Sequence, residues 1–275
     1  MTQNNFPIQV CSLDELSQFN ITRIVAAIGV FDGIHLGHQD IIKELIKMSA
    51  EQCATPVVIT FFPHPRRVLC PDKPLRLLLS SGKKAEFLGS LGIKAIVTAP
   101  FTLEFASLSP NEFIRKFMHP YSTKLAGICV GTKWRFGAGG KGNEQTLHDF
   151  ADKYGFVFKS VKETYWNGNP VSSTAIRNAL SKGDFFSANY MLNKKYSISG
   201  DVVGFGKLGD DNIIKADINY GILPPAGRYT VYINNNKNIE ISTEVISQSE
   251  LNINANNLPS VGEELEIVFI KRNSF

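Results

Sequence analysis

From Arg23 to about residue 182, short runs of β-branched and aromatic residues alternate with segments whose apolar positions recur every three or four residues. "RIVAAIGVF" reads as a strand and "GHQDIIKELIKMSAEQ" as a helix, with Ile41, Ile42, Leu45, Ile46 and Met48 as its apolar stripe. "PVVITFF" predicts the next strand, "SGKKAEFLGSLG" a helix stopped by glycine, and "IKAIVTA" a third strand. In "SPNEFIRKFM", Ser109 and Glu112 stand at capping-box spacing and Pro110 at the first helical position, so a helix is expected to start there. "LAGICVG", a glycine-rich loop, a helix near "EQTLHDFADKYG" and the strand "FVFKSV" complete the series. This alternation predicts an α/β, Rossmann-like fold: a parallel sheet with helices on both faces and ligands beyond the carboxyl ends of its strands.

The pattern changes near residue 195. "KYSISGDVVG", "GRYTVYI", "NIEISTEVI" and "ELEIVFI" are β-patterned, and turn-rich "NNNKN" and "NINANNLPS" lie between them. A boundary is expected at about 183–196, giving an α/β domain over 1–185 and a smaller all-β, barrel-like domain over 186–275.

Composition narrows the function classes. With 275 residues, 43% of them apolar and 20% charged, the chain reads as globular rather than disordered. A net charge of +4 with no dense Lys/Arg run suits an anionic small molecule and argues against a nucleic-acid partner. Cys11, Cys53, Cys70 and Cys129 form no C-x-x-C pair, so neither a zinc knuckle nor a disulfide framework is expected. "MTQNNFPIQVCSLDEL" lacks the layout of a signal peptide, and no run approaches the ~18–20 apolar residues of a membrane span. A cytoplasmic protein without a membrane partner is expected; its oligomeric state is not legible.

The candidate chemistry sits in "GVFDGIHLGH". A strand ends at about Val30 and a helix begins at Leu36 or Gly37, so unpaired backbone N–H groups and the positive end of a helix dipole form an anion site. Gly29, Gly33 and Gly37 allow a bulky anion close to the backbone, with Phe31 and Asp32 lining the turn. His35 and His38 can then donate hydrogen bonds to phosphate oxygens and stabilise charge that builds during transfer. No G-K-[ST] follows, so this is not a P-loop. Further along, "VSSTAIRNALSKGD" offers Ser172 as an N-cap, the hydroxyls of Ser173 and Thr174, and the cationic fork of Arg177 one turn later.

These segments together resemble the bacterial riboflavin kinase/FAD synthetase family. "GVFDGIHLGH" looks like its HxGH signature, and "TFFPHPRRVL" is similar to its Pro-His-Pro segment. "FASLSPNEFI", "GTKWRFGAGGKG" and "VSSTAIRNALSKGD" resemble three further blocks in the same order, so that the likeness spans about residues 23–200. The resemblance implies transfer of AMP from ATP to FMN, giving FAD and pyrophosphate. It implies that His35, His38 and Arg177 act on the phosphates, and that ATP is bound by Gly29, Val30, Phe31, Asp32, Gly33, Gly37, Gly131, Ser172, Ser173 and Thr174. It places Phe62, Pro63, His64, Pro65, Arg66, Lys133 and Phe136 on the FMN side, with Arg66 toward the FMN phosphate. Mg2+ is expected, held largely by substrate phosphates rather than by protein ligands.

Two departures stand out. Lys133 occupies a position where the family usually carries Asn or Asp; an ammonium cannot ligate a metal but can neutralise phosphate, so altered kinetics or metal dependence is expected. In "DNIIKADINYGILPPAGRYTVYI", Ile214, Lys215 and Asp217 stand where the family's kinase motif has Pro, Thr and Asn, which predicts weak or absent riboflavin phosphorylation. The rivals are an HxGH transferase for another acceptor, a bifunctional enzyme, and a flavin- or nucleotide-binding regulator without turnover. His119 and His148 are expected to be solvated, and Phe87, Phe113 and Phe117 to be core.

Overall fold

The structure is a computed structural model that describes residues 6–73, 75–118, 123–208, 211–233, 241–245, 250–254 and 264–273. At several barrel positions the description is of the backbone alone. Two compact units are present: Met1–Leu75 with Gly82–Tyr165, and Arg76–Ser81 with Trp166–Phe275.

The first unit carries β1 (Ile8–Val10), β2 (Arg23–Ile28), α1 (Leu36–Glu51), β3 (Thr55–Phe62), α2 (Pro65–Leu69) and α3 (Ser81–Ser90, whose first residue belongs to the second unit). It continues through β4 (Ala95–Pro100), α4 (Leu103–Ser107), α5 (Pro110–Met118), β5 (Lys124–Gly131), α6 (Glu144–Tyr154) and β6 (Val157–Val161). The six strands form one parallel sheet in the order β1-β4-β3-β2-β5-β6. The central strands are buried on both faces, Val25, Ala26, Ala27, Val57, Val58 and Ile59 being wholly inaccessible, so they read as continuous apolar runs. The order steps outward on both sides from β2, so the carboxyl ends of β2, β3 and β5 flank the point at which the winding reverses.

The expected helix signals operate as read. Ser109 and Glu112 close a capping box at the start of α5, with the Ser109 N–H and Oγ donating to Glu112 Oε2 at 2.8 and 2.6 Å. The stripe of α1 buries Ile42, Leu45 and Met48. Phe113 and Phe117 are core, as expected, whereas Phe87 is only partly buried, because α3 turns its Ala85 and Leu88 face inward. β1 was not legible; only three residues long, it gives no periodic pattern, yet it pairs with β4 and places Val10 in the core.

The second unit contains a short hairpin, β7 (Tyr165–Trp166, its first residue belonging to the first unit) and β8 (Asn169–Pro170), then α7 (Ser173–Leu180) and α8 (Phe185–Leu192). Six antiparallel strands follow: β9 (Ser197–Leu208), β10 (Asp211–Tyr220), β11 (Gly227–Ile233), β12 (Ile241–Val245), β13 (Glu250–Asn254) and β14 (Glu264–Arg272). They close into a barrel, β10-β13-β12-β11-β14-β9, with Ile198, Val231, Ile253, Leu265 and Ile267 buried. β10 and β13 were not singled out from the sequence. Both mix polar residues freely among the apolar ones, and their backbone pairing with β9 and β12 defines them.

The compact units divide at 165/166, about twenty residues before the sequence boundary of 185/186. The reason is packing: Phe185 of α8 stacks on Phe269 with centroids 5.3 Å apart and meets Tyr229 edge-on at 5.9 Å. Both helices therefore join the barrel, although their texture resembles that of the preceding α/β region. The Arg76–Ser81 segment joins it too, the Gly221 N–H donating to the Leu77 carbonyl at 2.9 Å. The side chains of Ile214, Lys215 and Asp217, and all of His119, lie outside the described residues.

Candidate active site

The turn after β2 is strained backbone. Phe31 (φ 52°), Gly33 (φ 84°) and Ile34 (φ 44°) all lie in the left-handed region. For Ile34, a β-branched residue that is fully buried, this is a costly conformation. The turn redirects the chain from the sheet edge into α1, whose N-cap is His35. No side chain caps this helix and no acidic residue lies in its first turn. Its first N–H groups and the positive end of its dipole are thus left to a ligand.

His35 and His38 stack face to face, 3.7 Å between centroids and 20° between planes. A Cβ at Gly37 would lie 3.4 Å from the His35 ring, in ordinary van der Waals contact. The Nδ1 atoms of both rings are enclosed without a hydrogen-bond partner among the described residues. Burial pushes His35 down to about 4. His38 is held well below the usual imidazole range by burial, then by His35 and by Lys84. At neutral pH both rings are uncharged, and each presents one N–H and one lone pair. Asp32 is buried in the same turn. The Val30 carbonyl accepts from Thr60 Oγ1 at 3.1 Å and from Lys84 Nζ at 3.0 Å.

Gly29 and Val30 also form one edge of a cavity of about 490 Å3. Its other walls are aromatic, from Phe61, Phe101, Phe105, Phe113, Trp134 and Phe136. Trp134 stacks on Phe136 at 4.9 Å and 17°, and Phe113 meets Trp134 edge-on at 5.9 Å. The glycine-rich loop is folded back on itself by Phe136 and Gly142, which exchange N–H···O bonds of 2.9 and 3.2 Å. Gly137, at φ 70°, presses so close to Pro110 that a Cβ would lie 2.7 Å from its nitrogen, which pins the loop to the start of α5. A flat apolar slot beside an uncapped helix start suits a planar ring bearing an anionic group. A second cavity, about 540 Å3, lies between the segment that follows β1, the end of β4 and helices α4 and α5, and contains no residue of the turn.

Of the expected FMN-side residues, Pro65 and Phe136 line the aromatic cavity. Phe62 does not; 58% of it is exposed, and the cavity wall is formed by its neighbour Phe61. Successive strand residues face opposite ways, and the sequence selected the wrong partner of the pair. The exposed Pro63 follows a cis peptide. His64 caps α2, its Nδ1 accepting from the Arg66 N–H at 3.0 Å, while the Arg66 residue itself is exposed. Gly131 ends β5 against Ile41 of α1.

Lys133 is committed elsewhere, its Nζ standing 2.7 Å from Glu163, and the hydrogen bond to that carboxylate raises its pKa. In the second unit, Ser172 caps α7, its Oγ accepting from the Ala175 N–H at 3.1 Å. Ser173 and Thr174 open that helix, and Arg177 Nε donates to the Arg76 carbonyl at 3.2 Å. His148 is exposed but not without a neighbour, since Phe158 meets its ring edge-on at 4.9 Å. Sequence reasoning did not single out Phe61, Phe101, Phe105 or Lys84; Phe61 and Phe105 lie inside the segments TFFPHPRRVL and FASLSPNEFI, whereas no motif marks Phe101 or Lys84. No cluster of three or more metal-ligating side chains occurs among the described residues.

A family model described as FAD synthetase matches residues 18–175, which span the turn, the cavity walls and the cap of α7. The chain belongs to the FAD synthetase family. It is 35% identical over 213 residues to a bifunctional riboflavin kinase/FMN adenylyltransferase of Bacillus subtilis (strain 168), covering 75% of this chain and 66% of the relative. A FAD synthetase of Listeria monocytogenes serovar 1/2a is 30% identical over 223 residues, covering 79% of this chain and 86% of the relative. The chain thus spans just under two thirds of the bifunctional Bacillus relative, and 58% of a bifunctional one from the same Listeria. The crystal structure of a macrolide-efflux protein from Streptococcus pneumoniae superposes with a TM-score of 0.80 over 98% of this chain and 91% of that one. At 21% identity that likeness is one of fold alone. Among the described residues no helix is long and apolar enough to cross a membrane.

Proposed function

We propose that this chain is a cytoplasmic FMN adenylyltransferase, joining FMN to the AMP part of ATP to give FAD and pyrophosphate. The observation that supports this most directly is the shared edge at Gly29 and Val30, where an aromatic slot adjoins an uncapped helix start bearing two neutral imidazoles. The slot takes the flavin ring between Trp134, Phe136 and Phe113. An FMN phosphate oxygen attacks the α-phosphorus of ATP; the bond from that phosphorus to the bridging oxygen breaks, and pyrophosphate departs with the electron pair. With Nδ1 of each ring enclosed, the proton on Nε2 is the one available to phosphate oxygens. His35 and His38 then act as positioned donors, together with the first N–H groups of α1. Mg2+ enters as part of the MgATP substrate. For Ser172, Ser173, Thr174 and Arg177 the support is the resemblance of their motif.

Riboflavin phosphorylation is weak or absent in this proposal. Its support is Ile214, Lys215 and Asp217 in the place of the kinase motif, and the near-equal length of the Listeria relative named FAD synthetase. Chromatography of products from FMN plus MgATP and from riboflavin plus MgATP tests both parts. FAD from the first and no FMN from the second is expected. FMN from the second shows a bifunctional enzyme, and silence in both with tight flavin binding moves the chain to a binding role.

A further inference from the structure

Lys84 is a basic residue beside the turn that the mechanism above does not use. It lies on α3, half-buried, and its Nζ donates to the Val30 carbonyl. Thr60 Oγ1 occupies the same oxygen, so both acceptor positions of that carbonyl are filled from outside the turn. The residues immediately following include Phe31, Gly33 and Ile34, the three at positive φ. Strained backbone of this kind persists only where its surroundings over-determine it, and the carbonyl at its entrance is where α3 takes hold.

Two charged or titratable groups of the turn face the ammonium. The Asp32 carboxylate favours its charged form against the cost of burial. His38 is disfavoured as an imidazolium by the same charge. A compact ammonium with three donors can serve a carbonyl and a carboxylate at once.

We propose that Lys84 is a positioning residue of this site: its ammonium, held on the Val30 carbonyl and facing Asp32, fixes the 31–34 backbone in the form that carries His35 and His38 to the nucleotide. This rests on the FMN adenylyltransferase reading.

The test compares the parent with Lys84→Met by FAD formation, by NMR titration of the imidazoles and by thermal melting. In the folded variant kcat is expected to fall about 100-fold, the scale of losing one preorganised electrostatic group, with KM for FMN within about threefold. His38 titrates at higher pH than in the parent because the Lys84 charge that disfavours its imidazolium is gone, and the fall in kcat at nearly constant KM is the readout that a purely structural role would not produce. Should Lys84→Met fail to fold, Lys84→Gln, which keeps a polar end beside Asp32, carries the test with the same expectation. A folded variant with kcat within about threefold of the parent, or with unmoved imidazole titration, overturns the proposal. If the parent itself makes no FAD, the functional reading fails on its own. Amide hydrogen exchange of residues 31–36 then still decides whether Lys84 holds the turn: faster exchange in the folded Lys84→Met supports it and unchanged exchange overturns it.

Discussion

The phosphate turn and the aromatic slot share an edge but are built in opposite ways. The turn is one contiguous stretch, residues 29–38, in which the backbone is strained and the Nδ1 atoms of two imidazoles are enclosed without hydrogen-bond partners among the described residues. The slot is gathered from β3, the β4–α4 connection, α4, α5 and the loop after β5, and its rings pack on one another as an ordinary core does. The turn therefore stores its specificity in conformation and protonation, and the slot in contact area. A substitution in the turn should act on rate, and one in the slot on affinity.

The largest expected effect is on rate. His38→Asn removes one of the two stacked donors while keeping a polar side chain, and kcat for FAD formation is expected to fall about 100- to 1000-fold. FMN affinity, read by quenching of flavin fluorescence, is expected to change less than about twofold, because the slot is untouched. A matching loss of FMN affinity would show that the two regions are not separable.

The protonation of the turn yields the next effect, on stability. Burial lowers His35 from 6.5 to about 4, so the folded state binds fewer protons than the unfolded state between those values. The contribution is fully present above pH 6.5, declines as pH falls and is gone below about 4. At pH 5 the loss relative to pH 7 is roughly 2 kcal/mol for His35 alone, and His38 adds in the same direction. Denaturant unfolding at the two pH values measures it. His35→Gln is expected to flatten the dependence, and an equally steep profile in that variant would place the titration elsewhere.

In the slot, Trp134→Ala removes one of two stacked rings and is expected to weaken FMN about tenfold, the scale of one aromatic pair. At saturating FMN, kcat is expected to stay within about threefold of the parent. A large fall in kcat at saturation would mean that the slot aims the FMN phosphate as well as holding the ring.

The same contrast decides what the sequence could show. The turn was legible because its glycines, histidines and strand-to-helix boundary are consecutive, so local rules reach all of it. The slot was named in advance only at Pro65 and Phe136, although the quoted motifs also contain Phe61, Phe105, Phe113 and Trp134, because a motif does not say which of its side chains face the cavity. Phe101 carries no local mark, and its place follows from β4 ending beside β3. The Phe61/Phe62 error is one of phase, since a strand buried on both faces gives no alternation from which to read facing. Likewise α7 and α8 look like α/β texture, and long-range packing, such as Phe185 against Phe269 and Tyr229, joins them to the barrel.

Lys133 offers the smallest effect and the sharpest test of where the turn's electrostatics end. Its sequence position led to the expectation of a phosphate contact, yet its ammonium pairs with Glu163, and 69% of the side chain is open to solvent. An ion pair so exposed contributes little to stability, because water screens it and two long side chains must be ordered. Lys133→Asn is expected to leave the melting temperature, the FAD rate and the magnesium response unchanged. A changed magnesium response in Lys133→Asn would restore the expected phosphate contact. Glu163→Gln probes the same ammonium from the other side by releasing it from its partner. A lower KM for ATP in Glu163→Gln, with no change in Lys133→Asn, would show that the pair holds back a cation the polyphosphate could otherwise use.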